Sequence, residues 1–251
     1  MKMFKIVILT KRSVILLFII FILLIFITIS FIIRINILPA NTFADPRSGV
    51  IVIDPGHGGI DGGTNKDGIL EKEINLDIGR KLRSLLEQKG YKVIMTRDED
   101  ISLETLDASG KGRHQRDLNA RVNIINNSNA QLFVSIHVNC NLKKPATDGA
   151  IVFYNNKYEQ NKSLAYSIQK ALNNIVVNNR KRTVHNPAQA KYFVLGNSDI
   201  PGVIVETAFI SNKSERRELL KEKFREDTAT AIVSGIEQYL HESTNVSTPG
   251  Q

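Results

Sequence analysis

The chain has 251 residues, of which 42% are hydrophobic and 23% charged, a balance that fits a folded protein and excludes wholesale disorder. Of its formal net charge of +8, residues 1–49 supply +5, from Lys2, Lys5, Lys11, Arg12, Arg34 and Arg47 against Asp45. The remainder carries 27 basic against 24 acidic side chains, too small an excess for a nucleic-acid-binding domain, so no nucleic-acid partner is expected. The single cysteine, Cys140, excludes an intramolecular disulfide framework.

Residues 14–33 hold eighteen apolar side chains with Thr28 and Ser30. Twenty helical residues span about 30 Å, the thickness of a bilayer's hydrocarbon core. This stretch is apolar all round, unlike a striped core helix. Lys2, Lys5, Lys11 and Arg12 precede it and only Arg34 follows closely. The positive-inside bias then predicts a cytoplasmic N-terminus over 1–13, a transmembrane anchor over 14–33, a linker over 34–48 and an exported remainder. A cleaved signal peptide, with Thr42-Phe43-Ala44 as its cleavage site, is the alternative; the apolar run exceeds the ~7–15 residues of a signal core, which favours retention as an anchor.

From residue 49 onward, apolar runs alternate with helical periodicity. Residues 49–53 (GVIVI) read as a buried strand stopped by Asp54-Pro55. A glycine-rich loop follows to about Ile69. Residues 72–89 read as a helix closed by Gly90, and 91–96 as a strand. A helix over about 115–126, strands over 132–136 and 149–154, and a helix over about 161–177 come next. Two short apolar runs, 192–195 and 203–205, precede a closing helix that places Ala229, Ile232, Val233 and Ile236 on one side. The expected fold class is α/β: one domain over 49–241 with a mostly parallel, helix-flanked sheet, preceded by the transmembrane helix. The tail 242–251 (ESTNVSTPGQ) reads as disordered.

Ligands of parallel sheets bind at the carboxyl ends of the strands. That rule picks out His57 after the first strand, His137 directly after 132–136, and Glu206 directly after 203–205. Each alone has a bland reading as a loop or surface residue; the shared placement argues for function. A fourth group follows from helix geometry. Ile74, Ile78, Leu82, Leu85 and Leu86 form one stripe at 100° per residue, and Glu71 falls in its middle, whereas Glu73 and Asp77 point to solvent. An inward carboxylate is costly unless a cation or hydrogen bonds satisfy it. Two histidines and a glutamate, His57, Glu71 and His137, are the ligand set of a catalytic Zn2+ site with one position open, leaving Glu206 as the proton-transferring carboxylate. The loop DPGHGGIDGG lacks the order of a phosphate-binding P-loop. Cys140 reads as a small residue packed beside the site. The run Arg180, Lys181, Arg182 reads either as a solvated face or as a contact for anionic substrate, and Arg121 as a structural ion pair under the sheet. His114, His185 and His241 stand outside the strand-end pattern.

These residues resemble a known family. Ile53-Asp54-Pro55-Gly56-His57-Gly58-Gly59, Leu70-Glu71-Lys72 with Asn75-Leu76, Thr96-Arg97-Asp98, Arg121 with Asn126, Phe133-Val134-Ser135-Ile136-His137 with Asn139, and Val205-Glu206-Thr207 with Phe209-Ile210-Ser211-Asn212 are similar, in order, to the motifs of the zinc-dependent N-acetylmuramoyl-L-alanine amidases of bacterial cell walls. The resemblance covers about residues 49–240. It implies zinc on His57, Glu71 and His137, catalysis by Glu206, and hydrolysis of the amide between the lactyl group of N-acetylmuramic acid and L-alanine of the stem peptide. The single apolar segment and the lack of wall-binding repeats resemble the sporulation branch, which implies action on spore-cortex peptidoglycan, muramic-δ-lactam formation and germination. The short segment between His137 and Gly149 leaves no room for a long inhibitory helix, so control would come from a partner protein. A noncatalytic wall-binding scaffold on the same fold, or another zinc peptidase or deacetylase, are the competing readings.

Overall fold

A computed structural model of the chain describes residues 11–12, 19–26, 28, 49–177 and 180–246. Most of the expected anchor and the whole linker lie outside the described residues. Ile19 through Phe26 are helical, with exposures between 41% and 73%, and Thr28 satisfies its hydroxyl on the carbonyls of Leu24 and Ile25. Among the described residues no helix is long and apolar enough to cross a membrane, and most of the span expected over 14–33 lies outside them.

The domain is α/β. Its six-stranded sheet is built from β1 (Val50–Pro55), β4 (Lys92–Met95), β5 (Leu132–Asn139), β6 (Ile151–Tyr154), β9 (Ala188–Gln189) and β10 (Gly202–Phe209), in the order β4-β1-β5-β10-β6-β9. Neighbours β4, β1, β5 and β10 run parallel; β6 is antiparallel to β10, and β9 is parallel to β6. Two strand pairs lie outside it: β2 (Asn65–Lys66) with β3 (Ile69–Leu70), and β7 (Val176–Val177) with β8 (Arg180–Lys181). The helices are α1 (Glu71–Gln88), α2 (Arg113–Asn126), α3 (Glu159–Leu172), α4 (Phe193–Asn197), α5 (Lys213–Leu219) and α6 (Glu222–Val246).

The period-2 alternation of the central strands decides which face each side chain serves. Ile51 and Ile53 of β1, Val134 and Ile136 of β5, and Val203 and Val205 of β10 enter the larger core with Ile78, Leu82 and Leu86 of α1 and Ile232 and Ile236 of α6. Val52, Phe133 and Ile204 enter a smaller core on the opposite face with Val122 and Ile125 of α2 and Val194 and Leu195 of α4. Continuing the second series places Asp54, Ser135, His137 and Glu206 on that smaller-core face. The sheet register sets Glu206 opposite His137 and Asp54 opposite Ser135.

Several boundaries depart from those the sequence suggests. His137 and Glu206 lie inside β5 and β10 rather than just past them, because Val138 and Ala208 still pack into the larger core on the other face. The glycine-rich loop contains the β2–β3 hairpin, turned by Asp67 at φ +54° and Gly68. The apolar run from Tyr192 forms the short helix α4. Asp77 is half-buried and pairs with Lys81 and with Arg225 of α6, whereas Glu73 is exposed. Residues 242–246, expected in a disordered tail, continue α6; no glycine or proline lies between His241 and Pro249.

A buried polar cluster ties β1 to its neighbours. Burial pushes the Asp54 carboxyl up, but the Arg121 charge and hydrogen bonds from Thr96, Ser135 and Arg121 outweigh that and bring its pKa from 3.8 down to about 2. A carboxyl depressed on folding stabilises above its unfolded pKa, and the gain is lost as pH falls through the folded value. We expect about 2 kcal/mol of stability to disappear between roughly pH 5 and pH 2 through this group. Denaturant titrations across that range measure it, and the Asp54→Asn protein is expected to lack this part of the acid dependence while being less stable at neutral pH, since Arg121 would keep a buried, less compensated charge.

Candidate metal centre and catalytic cleft

Glu71 is the first residue of α1, on the buried stripe, and is only 4% exposed. Its Oε2 accepts the Thr64 backbone N–H at 2.9 Å and its Oε1 the Val138 N–H at 3.2 Å. Two imidazoles close on the same Oε1: His57 Nε2 and His137 Nδ1 each lie 3.1 Å from it. The ligand atoms of His57, Glu71 and His137 all fall within 4.8 Å of one another. Burial alone would raise the Glu71 pKa, but the two imidazoles, through hydrogen bonds and charge, hold it far below the usual carboxylate range.

His57 occupies a left-handed backbone conformation, φ +62°, which costs a non-glycine residue energy unless its surroundings hold it there. Two buried arginines do so. Arg97 donates from Nε to the carbonyl of Pro55 and from Nη2 to that of Gly56. Arg121 donates from Nη1 to the carbonyl of Pro55 and from Nη2 to that of His57, while its Nη1 and Nε pair with Asp54 and Asp117, both at 2.7 Å. The sequence marks Arg121 as an ion-pair residue; its further grip on the His57 carbonyl is visible only in three dimensions. Burial and the neighbouring Arg121 lower the Arg97 pKa to about 10, leaving it cationic at neutral pH.

The orientation of the His57 ring is set by Asp61, a residue the sequence did not single out. Asp61 Oδ2 lies 2.8 Å from His57 Nδ1, and Asp61 Oδ1 is held by the Gly63 N–H. The signal was an acid four residues beyond a candidate ligand histidine, since ligating imidazoles commonly have a carboxylate on the second nitrogen. Glycines leave room for this arrangement. A Cβ on Gly56 would sit 2.2 Å from the His137 ring, and one on Gly63, at φ +63°, would meet His57 at 2.7 Å and Glu71 at 2.8 Å.

Glu206 shares the cleft with these three side chains. Its Oε2 is buried without a hydrogen-bond partner. Burial lifts its pKa to about 7, with His137 opposing and Glu71 adding to the rise. The cleft encloses about 930 Å³. Cys140 and His114 also line it, and the Cys140 thiol is half-buried and free. Other candidates lie elsewhere. Arg182 is buried, pairs with Glu215 at 2.6 Å, donates to the carbonyl of Thr207 and stacks over Phe224. It pins β10 to the following helices, so only Arg180 and Lys181 of that basic run are exposed. His185 contacts the carbonyl of Asp148, and His241 is exposed on α6.

Fold and centre together define a single-domain α/β enzyme with a site able to hold a metal ion beside a half-buried carboxylate that has a buried, unpartnered oxygen. The model of the N-acetylmuramoyl-L-alanine amidase family matches residues 51–238, and the chain belongs to that family of peptidoglycan hydrolases. It is 36% identical over 201 residues to the germination-specific N-acetylmuramoyl-L-alanine amidase of Bacillus subtilis, covering 78% of this chain and 82% of that protein. Among solved structures it is similar to the CwlD amidase from Clostridioides difficile in complex with the GerS lipoprotein, at 40% identity and TM-score 0.67, over 77% of this chain and 99% of that one. An N-acetylmuramoyl-L-alanine amidase from Clostridium difficile 630 aligns at 30% identity and TM-score 0.66, over 78% and 98% of the two chains.

Hydrogen bonding and charge from Glu71 and Asp61, against the opposing effect of burial, raise the His57 pKa to about 9. The ring is therefore protonated at pH 7, and because a ligating imidazole must be neutral, divalent-ion binding displaces that proton. Calorimetric titration in buffers of different ionisation enthalpy should register about one proton released per ion at pH 7 and weaker binding as pH falls. Binding that is pH-independent between 6 and 8 would contradict this.

Proposed function

We propose that the chain hydrolyses the amide joining the lactyl group of N-acetylmuramic acid to L-alanine of the stem peptide, using one Zn2+ held by His57, Glu71 and His137. The observation that carries the reading is the approach of those three ligand atoms to within 4.8 Å in the same cleft as Glu206, a half-buried carboxylate with a buried, unpartnered oxygen. Two imidazoles and one carboxylate suit zinc, and the glycine cradle around His137, His57 and Glu71 keeps side-chain bulk out of the space between them. Bound there, zinc would supply Lewis acidity and activate a water as nucleophile near neutral pH.

The chain's own residues do the rest. Glu206, in its ionised form, accepts the proton of the attacking water and returns it to the departing amine of L-alanine. Asp61 fixes the His57 ring so that Nε2 faces Glu71. Arg97 and Arg121 hold the backbone of residues 55–57 against relaxation. The expected outcome for Glu206→Gln is retained metal with a rate about two to four orders of magnitude lower; His57→Ala and His137→Ala should lose metal and activity together. Mass spectrometry of digested peptidoglycan distinguishes the competing reactions: free stem peptides support the amidase, whereas shortened stems mark a peptidase and an unaltered digest a scaffold.

The likeness to a germination-specific amidase supports a role on spore-cortex peptidoglycan, where peptide removal prepares muramic-δ-lactam. The structural relative complexed with a lipoprotein supports a regulatory protein partner for this chain too. The apolar segment 14–33, with its exposed helical portion 19–26, supports a membrane anchor that keeps the catalytic domain on the exported side. Fractionation of cells producing the native protein is expected to leave it in the membrane pellet; a soluble mature form starting at Asp45 would replace the anchor with a cleaved signal.

A further inference from the structure

Two cations in the cleft take no part in the chemistry above. Arg113 opens α2 and Lys191 precedes α4, so separate elements deliver them, yet both line the cleft with His57, His137 and Glu206. Of the other charges there, Glu206, the carboxylate assigned to proton transfer, keeps an unpartnered oxygen, and the rest are engaged. Arg121 is held by Asp54 and Asp117, Asp61 lies against His57, and Glu71 sits between two imidazoles. Arg113 and Lys191 are exposed, and among the described residues neither has an ion-pair or side-chain hydrogen-bond partner. The first turn of α2 contains no acidic residue that would neutralise the first of them.

Two cations without protein partners, delivered to one cleft by different elements, suit an anion brought by the substrate. The scissile amide, the lactyl group and L-alanine's methyl side chain are neutral, so the nearest anion is the carboxylate of the acidic residue that follows L-alanine in the stem peptide. We propose that Arg113 and Lys191 form a subsite for that free carboxylate and select anionic stems over amidated ones; this rests on the amidase reading above. The guanidinium can meet a carboxylate through two parallel N–H bonds, and the ammonium adds a compact point charge. A carboxamide of the same shape offers neither the charge nor a matching pair of acceptors. Because both side chains are solvated, each contact is expected to be modest and to weaken with added salt.

The test compares kcat/KM of the full, zinc-loaded chain on two glycan fragments. They carry identical stem peptides except that the second residue is D-glutamate with a free α-carboxylate in one and its α-amide in the other. The expected result is a preference of about fivefold or more for the carboxylate probe at low salt, expressed mainly in KM. That ratio should fall to near one in the Arg113→Gln/Lys191→Gln double variant and survive in Arg113→Lys/Lys191→Arg. Equal rates on the two probes by the unmodified protein, or a preference that persists in the double glutamine variant, would overturn the subsite while leaving the amidase assignment standing. Release of peptide from neither probe would instead overturn the amidase reading, and the subsite with it.

Discussion

A carboxylate out of water is the constraint around which this site is built. Glu71 sits on the apolar face of α1, where its charge is expensive unless several donors reach it. Backbone N–H groups of Thr64 and Val138 supply two, and the imidazoles of His57 and His137 supply two more. These four donors come from three separate parts of the chain, since His137 and Val138 are neighbours on β5. Thr64 lies just before the β2–β3 hairpin that returns the chain to α1, Val138 belongs to the central strand β5, and His57 belongs to the loop leaving β1. Satisfying one charge therefore brings four segments to one point, and that point is where a cation finds its ligands.

The same economy extends to the arginines. Arg97 and Arg121 could have been surface residues; instead both are about 2% exposed and each donates twice to the backbone carbonyls of residues 55–57. Asp54 balances Arg121, and Thr96 and Ser135 complete the cluster. A folding element and a positioning element are thus one structure. Loss of the cluster would free the strained backbone at His57 as well as weaken the sheet, so stability and metal geometry are expected to vary together in variants of this region.

Much of this was legible in the amino-acid sequence because burial writes itself into periodicity. The apolar runs of β1, β5 and β10 announced the sheet, and the 100° stripe of α1 placed Glu71 inward and Glu73 outward. What the sequence obscured was where strands end. After Ile136 and Val205 one face turns polar because it lines a cleft, while the other stays apolar through Val138 and Ala208, so a continuing strand reads as a loop. The Asp67-Gly68 turn was a readable hairpin signal overshadowed by the surrounding glycines. Tyr192 to Leu195 have strand-like composition, yet Val194 and Leu195 reach the smaller core as a single helical stretch; tertiary packing overrides propensity in so short a segment. Asp61, and the partition of the basic run into buried Arg182 and exposed Arg180 and Lys181, depended on neighbours far away in sequence.

What most needs direct observation is the cation itself. Anomalous diffraction at the zinc absorption edge, from crystals of the zinc-loaded protein, locates it without reference to activity. The account predicts one peak per chain, about 2.0–2.2 Å from a ring nitrogen of His57, a ring nitrogen of His137 and a carboxylate oxygen of Glu71, with Glu206 close by and not ligating. A peak held by other side chains, or no ordered ion between these three, would contradict it.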